Sequence, residues 1–255
     1  MILIRTHGGL GNQLFQIFFA LALSDRVHDN DINVFHDSRY KHGFKLSPIF
    51  KHYTGKTNVF TFEIISSLRI PKILTKMRLG SSGYLRLGSL YILDEYFQNT
   101  TQYDLFDKKN ILSSLERLRI LVGIDGYSEN RTLYHFRLGD FFSTRRKEEQ
   151  YISQTINKVI NGSDIITSND SLFRRVVDVD SLMERQINLI ETSHLEPIEV
   201  LRLMSRYEIV NSNSSTIALW STILSGAEFI SNDPKIDAMK QYLTSYSGKV
   251  RSLIG

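Results

Sequence analysis

Residues 132–140 read Thr-Leu-Tyr-His-Phe-Arg-Leu-Gly-Asp. A β-branched and aromatic run that closes on a polar pair and a glycine is the pattern of a strand entering a tight turn. Strand alternation sets His135 and Arg137 on one face and Phe136 and Leu138 on the other. The same unit recurs downstream. Short β-like runs at 132–138, 164–167, 187–190, 208–211 and 228–231 alternate with helical patterns near 145–160, 169–177, 196–205, 214–225 and 233–244. This rhythm predicts an α/β fold with a parallel sheet and helices on both faces. Ligands of such sheets sit beyond the carboxyl ends of the strands. The residues just after each run are therefore the candidates for chemistry.

Upstream the pattern starts with a strand at Ile2 to Ile4, then Gly8-Gly9 and Gly11. A helix is expected from Asn12 to Arg26, with apolar residues at 14, 15, 18, 19, 21 and 22. Ile32 to Phe35 reads as the next strand. Residues 38–103 are less regular: a helix near Phe62 to Met77, a segment dotted by Gly80, Gly83 and Gly88, and the apolar stretch Leu90 to Leu93. Asp104 to Leu121 reads as a helix stopped by Gly123. The expected division is a first domain over 1–120 and a second over 121–255.

With 255 residues, 42% apolar and 23% charged, the chain suits two small halves or one large α/β domain. Cysteine is absent, which excludes disulfides, thiolate metal sites and cysteine nucleophiles and suits a reducing compartment. The start, MILIRTHGGLGNQ, lacks a basic-then-apolar layout, and the best apolar run, Leu14 to Leu23, is too short to span a bilayer. A cytoplasmic location is the expectation. The net charge of +4 favours a phosphate-bearing ligand or an anionic membrane face, and equally fits an ordinary surface. Arg145-Arg146-Lys147 is offset by Glu148 and Glu149, and no sustained basic stripe points to nucleic acid.

Four polar clusters fall at strand-to-helix turns. His7-Gly8-Gly9-Leu10-Gly11-Asn12-Gln13 lets backbone approach a ligand closely, yet matches neither a phosphate-binding Gly-Lys-Ser/Thr loop nor the dinucleotide G-x-G-x-x-G spacing. His135 and Arg137 together suit a diphosphate or carboxylate, because the guanidinium fork bonds two oxygens at once. Gly139 allows the turn that carries Asp140. Ser168-Asn169-Asp170 and Asn213-Ser214-Ser215 each open a helix, where N-capping and anion binding are both served.

These strings resemble a known family. Gly8-Gly9-Leu10-Gly11-Asn12-Gln13-Leu14-Phe15-Gln16 resembles the N-terminal signature of the α-1,2-fucosyltransferases. His135-Phe136-Arg137-Leu138-Gly139-Asp140 is similar to the H-x-R-x-G-D motif of α-1,2- and α-1,6-fucosyltransferases. Glu95-Tyr96-Phe97-Gln98 with Tyr103, Ser168-Asn169-Asp170, Leu203-Met204-Ser205 and Asn213-Ser214-Ser215 look like further family blocks, in the same order. Three departures stand out. Thr216-Ile217-Ala218-Leu219 replaces a Phe-Ser-Trp-Trp-like run, Asn169 an aspartate, and Glu95 a glycine.

The resemblance implies a GT-B-type architecture, two Rossmann-like halves facing a cleft, the first on the acceptor side and the second holding the donor. It implies inverting transfer from GDP-β-L-fucose to a saccharide hydroxyl, galactose O2 above all, with no required metal or cofactor. A lipid-linked O-antigen or capsule acceptor would bring the protein to the cytoplasmic face of the inner membrane. Arg137 would bind the β-phosphate, helped by Asn213, Ser214 and Ser215, with His135 and Asp170 on the nucleotide. Gly9, Gly11 and Asn12 would close the site from the first half. Asp140 is the first choice of general base, with His7 and Glu95 behind it. Another nucleotide sugar, or a non-catalytic nucleotide-sugar-binding subunit, stays open as an alternative.

Overall fold

A computed structural model of the protein describes residues 1–28, 31–36, 84–93, 95–139 and 142–250. The chain divides into two compact units, Met1–Gly123 with Gln241–Gly255, and Ile124–Lys240. The sequence placed the whole C-terminus with the second half. Its last stretch joins the first unit instead, because the Tyr242 ring packs 5.9 Å from that of Tyr103 and Leu243 is fully buried.

The first unit is built on a four-stranded sheet of order β2-β1-β4-β3. Its strands are β1 (Ile2–Thr6), β2 (Ile32–His36), β3 (Tyr84–Leu87) and β4 (Leu90–Leu93). β1 runs parallel to β2 and β4, while β3 pairs antiparallel with β4. The sheet is therefore mixed rather than all parallel. The hairpin was hidden in the glycine-dotted segment, where Gly88 and Ser89 alone make the turn. Helix α1 (Leu10–Val27) is buried from Leu10 to Leu23 except at Asn12, as an all-round apolar helix must be. Helix α2 (Lys108–Val122) opens on an Asp107/Asn110 capping box and stops at Gly123 in the left-handed region. An Arg117–Asp25 ion pair at 2.6 Å ties it to α1. The helix expected near Phe62 to Met77 lies outside the described residues.

The second unit carries β5 (Glu129–Phe136), α3 (Arg145–Ile156), β6 (Asp164–Thr167), α4 (Asp170–Val176) and α5 (Val179–Glu184). Then come β7 (Asn188–Ile190), α6 (Pro197–Met204), β8 (Tyr207–Ser212), α7 (Thr216–Ser225), β9 (Glu228–Ile230) and α8 (Pro234–Val250), which passes into the first unit at Gln241. All five strands are parallel, in the order β7-β6-β5-β8-β9. The chain thus starts in the middle, winds outward through β6 and β7, and returns to wind the other way. Tyr134, Phe136 and Leu138 enter a core with Ile152, Leu172 and Phe173, so the alternation read from the sequence holds: His135 and Arg137 belong to the opposite face.

At the amino ends of these strands one carboxylate, Asp164, joins four of them. It pairs with Arg131 of β5 at 2.7 Å and accepts from Asn188 of β7 at 2.9 Å and from the Tyr207 hydroxyl of β8 at 2.8 Å. Asp164 is buried, and a buried carboxylate needs partners of this kind. The described candidates of this unit, His135, Arg137, Asp170 and Asn213 to Ser215, lie toward the other end.

Candidate functional site

The reversal of winding falls between β5 and β8. Open α/β sheets bind ligands in the crevice beyond the strand ends at such a switch point. β5 delivers Arg137 there and β8 delivers Asn213 and Ser214. An Arg137 Nη1 donates to the Ser214 carbonyl, and Asn213 Nδ2 donates back to the Arg137 carbonyl at 3.2 Å. Earlier on the same two strands, Ser212 Oγ stands 3.1 Å from His135 Nδ1 and 3.2 Å from the His135 carbonyl. Burial, reinforced by the Arg137 guanidinium, pulls the His135 pKa down to about 3. The imidazole is neutral at physiological pH and offers hydrogen bonds, not charge.

The turn after Arg137 is held from two sides. Ser168 Oγ accepts from the Leu138 amide at 2.8 Å and donates to its carbonyl at 3.1 Å. Gly139 has φ +85°, a conformation L side chains disfavour, and its amide donates to Glu148 Oε1. Glu148, buried in the first turn of α3, was read from the sequence only as a charge offsetting its neighbours. Asp140 lies outside the described residues.

The remaining predicted residues divide clearly. Ser215 Oγ caps α7 by accepting from the Ala218 amide at 3.3 Å. The Ser214 hydroxyl donates to Asp233, a residue the sequence reading passed over. Asn169 caps α4 through the Leu172 amide at 3.1 Å. Asp170 stands after β6 and faces the turn after β7. Burial and Glu191 raise its pKa, opposed by Arg174 and the Thr192 and Ser193 amides.

The first unit has its own cluster. Gly8 sits at φ +77°, and a Cβ there would come within 2.9 Å of Asn12 Nδ2 and 3.2 Å of the Tyr96 ring. Gly9, by contrast, opens onto empty space and occupies the N-cap of α1 without a side-chain bond. Gln13 Nε2 donates to the Gly8 carbonyl at 2.9 Å, and Gln98 Nε2 donates to Asn12 Oδ1 at 2.7 Å. Gly11 is buried in the first turn of α1. Gln16 accepts from the His7 amide with Oε1 at 3.0 Å, which orients its Nε2 to donate to His7 Nδ1, also at 3.0 Å. His7 Nδ1 therefore serves as the acceptor in this pair. Tyr96 packs on the His7 ring at 4.3 Å. Phe97, buried and stacked on Phe19 at 4.0 Å, holds a left-handed backbone with φ +53°. The Tyr103 hydroxyl fixes this bend by donating to the Phe97 carbonyl at 2.7 Å. The two motif segments 8–16 and 95–103, far apart in sequence, are thus one assembly.

Among the described residues no group of three or more His, Asp or Glu side chains is placed to hold a metal ion, and no helix is long and apolar enough to cross a membrane.

Fold and site define an α/β protein whose second unit is a doubly wound parallel sheet with an arginine at its switch point. No family model matches the sequence, nor does any curated protein. Among solved structures the chain is similar to the NodZ α-1,6-fucosyltransferase co-crystallised with GDP, at 11% identity and TM-score 0.41, over 88% of this chain and 92% of that one. It is similar also to the E. coli heptosyltransferase WaaC with ADP-2-deoxy-2-fluoro heptose, at 10% identity and TM-score 0.43, over 91% and 90%. A third is the UDP-GlcNAc 2-epimerase from Methanocaldococcus jannaschii, at 13% identity and TM-score 0.36, over 95% and 76%. Two of these neighbours are glycosyltransferases by name. Likeness at these scores is distant, and the fold class rests on the chain's own sheets.

Proposed function

We propose that the protein is an inverting glycosyltransferase of GT-B type that moves L-fucose from GDP-β-L-fucose to a saccharide hydroxyl, galactose O2 before others, in bacterial surface-glycan synthesis. The observation that carries this reading is the position of Arg137. The arginine of the H-x-R-x-G-D-like string stands at the switch point of a parallel sheet, where a nucleotide diphosphate is expected. The second unit takes the donor and the first the acceptor, at the cytoplasmic face of the membrane.

In the reaction the acceptor oxygen attacks C1 of fucose from the face opposite the diphosphate. The C1–O bond breaks, GDP leaves with the electron pair, and the hydroxyl proton passes to a base. Arg137 meets the negative charge that grows on the β-phosphate, and losing such a group costs on the order of 10²–10³ in rate. Because the Ser214 and Ser215 hydroxyls are engaged by Asp233 and Ala218, the amides opening α7 supply the further phosphate contacts. Neutral His135 hydrogen-bonds the nucleotide, as does Asp170. Gly9, Gly11 and Asn12 serve the first unit's side. Asp140 remains the proposed base, ahead of Glu95. His7 is the poorer candidate, since its Nδ1 is already occupied.

The replacement of the aromatic run by Thr216–Leu219 supports one alternative, a different nucleotide sugar in the same site. Thermal unfolding with GDP, UDP, CDP and ADP, with and without EDTA, separates the two. A ligand at about 100 times its dissociation constant adds roughly 2.7 kcal/mol, enough to raise the transition by several degrees. Stabilisation by GDP alone, indifferent to EDTA, is the expected result. Stabilisation by UDP instead removes fucose, and no response to any of the four removes the donor site.

A further inference from the structure

Beyond the strand ends of the second unit, hydrogen bonds close into a ring that passes through three turns. Arg137 donates to the Ser214 carbonyl, and the Ser214 hydroxyl donates to Asp233 Oδ2. The Asp233 amide donates to Ser231 Oγ at 3.2 Å, and Ser231 Oγ donates to the Asn213 carbonyl. Asn213 Nδ2 completes the circuit on the Arg137 carbonyl at 3.2 Å. The turn after β9, which carries Ser231 and Asp233, lies outside the segments that resemble the fucosyltransferases, yet the ring runs through it.

An acidic residue close to a site for anions is ordinarily unfavourable. Here both carboxylate oxygens have internal uses: Oδ2 takes the Ser214 hydroxyl and Oδ1 takes the Lys235 amide at 2.9 Å, capping α8. An arginine side chain has many rotamers, and a group that must meet growing charge works best when it is already in place. We propose that Asp233 and Ser231 are positioning residues, which act through Ser214 and Asn213 to set the Arg137 guanidinium for the donor diphosphate. This rests on the donor-site reading above.

The test is a double-mutant cycle on transfer from GDP-fucose, paired with GDP-induced thermal stabilisation. Ser214→Ala and Asp233→Ala should each lower kcat/KM about tenfold, the size of one lost hydrogen bond. The double variant should be no worse than the weaker single, because one link is cut twice. Ser214→Ala leaves the α8 cap whole, so its loss is not one of folding. Asp233→Asn should retain most of the activity: its Oδ1 still accepts from Lys235, and its Nδ2 can donate to the Ser214 hydroxyl. Multiplying losses in the double variant, or wild-type transfer by Asp233→Ala, overturns the positioning role while the donor reading stands. A wild-type protein that neither transfers fucose nor responds to GDP overturns both.

Discussion

Around the first glycine turn the polar work is done by amides: Gln13, Gln16, Gln98 and Asn12 bind backbone, imidazole and one another. The turns at the switch point of the second unit are tied instead by Arg137, Asp233 and Glu148, each ionisable. The difference is chemical. Amides give and take hydrogen bonds without charge, which suits the hydroxyls of a sugar. A guanidinium held by internal acceptors suits a phosphate, whose charge must be met as it grows. The two regions are tied by different chemistry, and under the proposed function they would meet different ligands.

The most severe way to break this contrast is Arg137→Ala. Transfer should fall by about 10²–10³ while the thermal transition barely moves; near-wild-type rates from a folded variant would deny the charge at the switch point any part in catalysis. In the first unit the corresponding blow is to stability. Gly8→Ala forces an L side chain to φ +77° and against Asn12 and Tyr96, which should cost about 1–3 kcal/mol, read by chemical denaturation. A neutral outcome would mean that the amide assembly is loose.

A third measurement uses pH. His135 has a folded pKa of about 3 against an ordinary 6.5, so the unfolded chain binds the extra proton first. The stability this group confers is complete above pH 6.5 and drains away as pH falls toward 3. The unfolding temperature should therefore fall from pH 7 to pH 5, and less steeply in His135→Gln. Equal slopes would remove the buried neutral imidazole from the account. The smallest expected effect is that of Gly9→Ser. Its Cβ meets open space and its hydroxyl can cap α1, so stability should hold or rise by a few tenths of a kcal/mol. If Gly9 is there for close approach of a ligand, transfer will drop all the same; undiminished transfer would make it a structural turn only.

The β-α rhythm of the second half was legible because each strand is a short apolar run followed by helix-capping residues; β6 lies at 164–167 as read. α5 escaped notice, since six residues give no helical period. The order of the strands is invisible in sequence, and with it the fact that β5 and β8 are neighbours at a reversal. Gln16 stands inside the apolar run Leu14 to Leu23, where sequence alone gives it no partner, and it bonds both the amide and the ring of His7. Ser231-Asn232-Asp233 had a readable signal, the same Ser-Asn-Asp that follows β6, after an apolar run and before a helix. The capping role is real, and the same carboxylate does a second task through Ser214.

The Asp164 hub bears on a problem of alignment. Parallel strands buried on both faces are apolar on both, so their side chains say little about register. A slip of β8 by one residue would displace its far end by about 3.3 Å, enough to part Ser214 from the guanidinium. By taking Arg131, Asn188 and Tyr207 at once, one carboxylate gives β5, β6, β7 and β8 a common zero. Residues at the opposite rim then come level, where the ring through Arg137, Ser214 and Asp233 takes over. Asp164 is thus the mark from which the distances at the switch point are measured off, a sheet's length away.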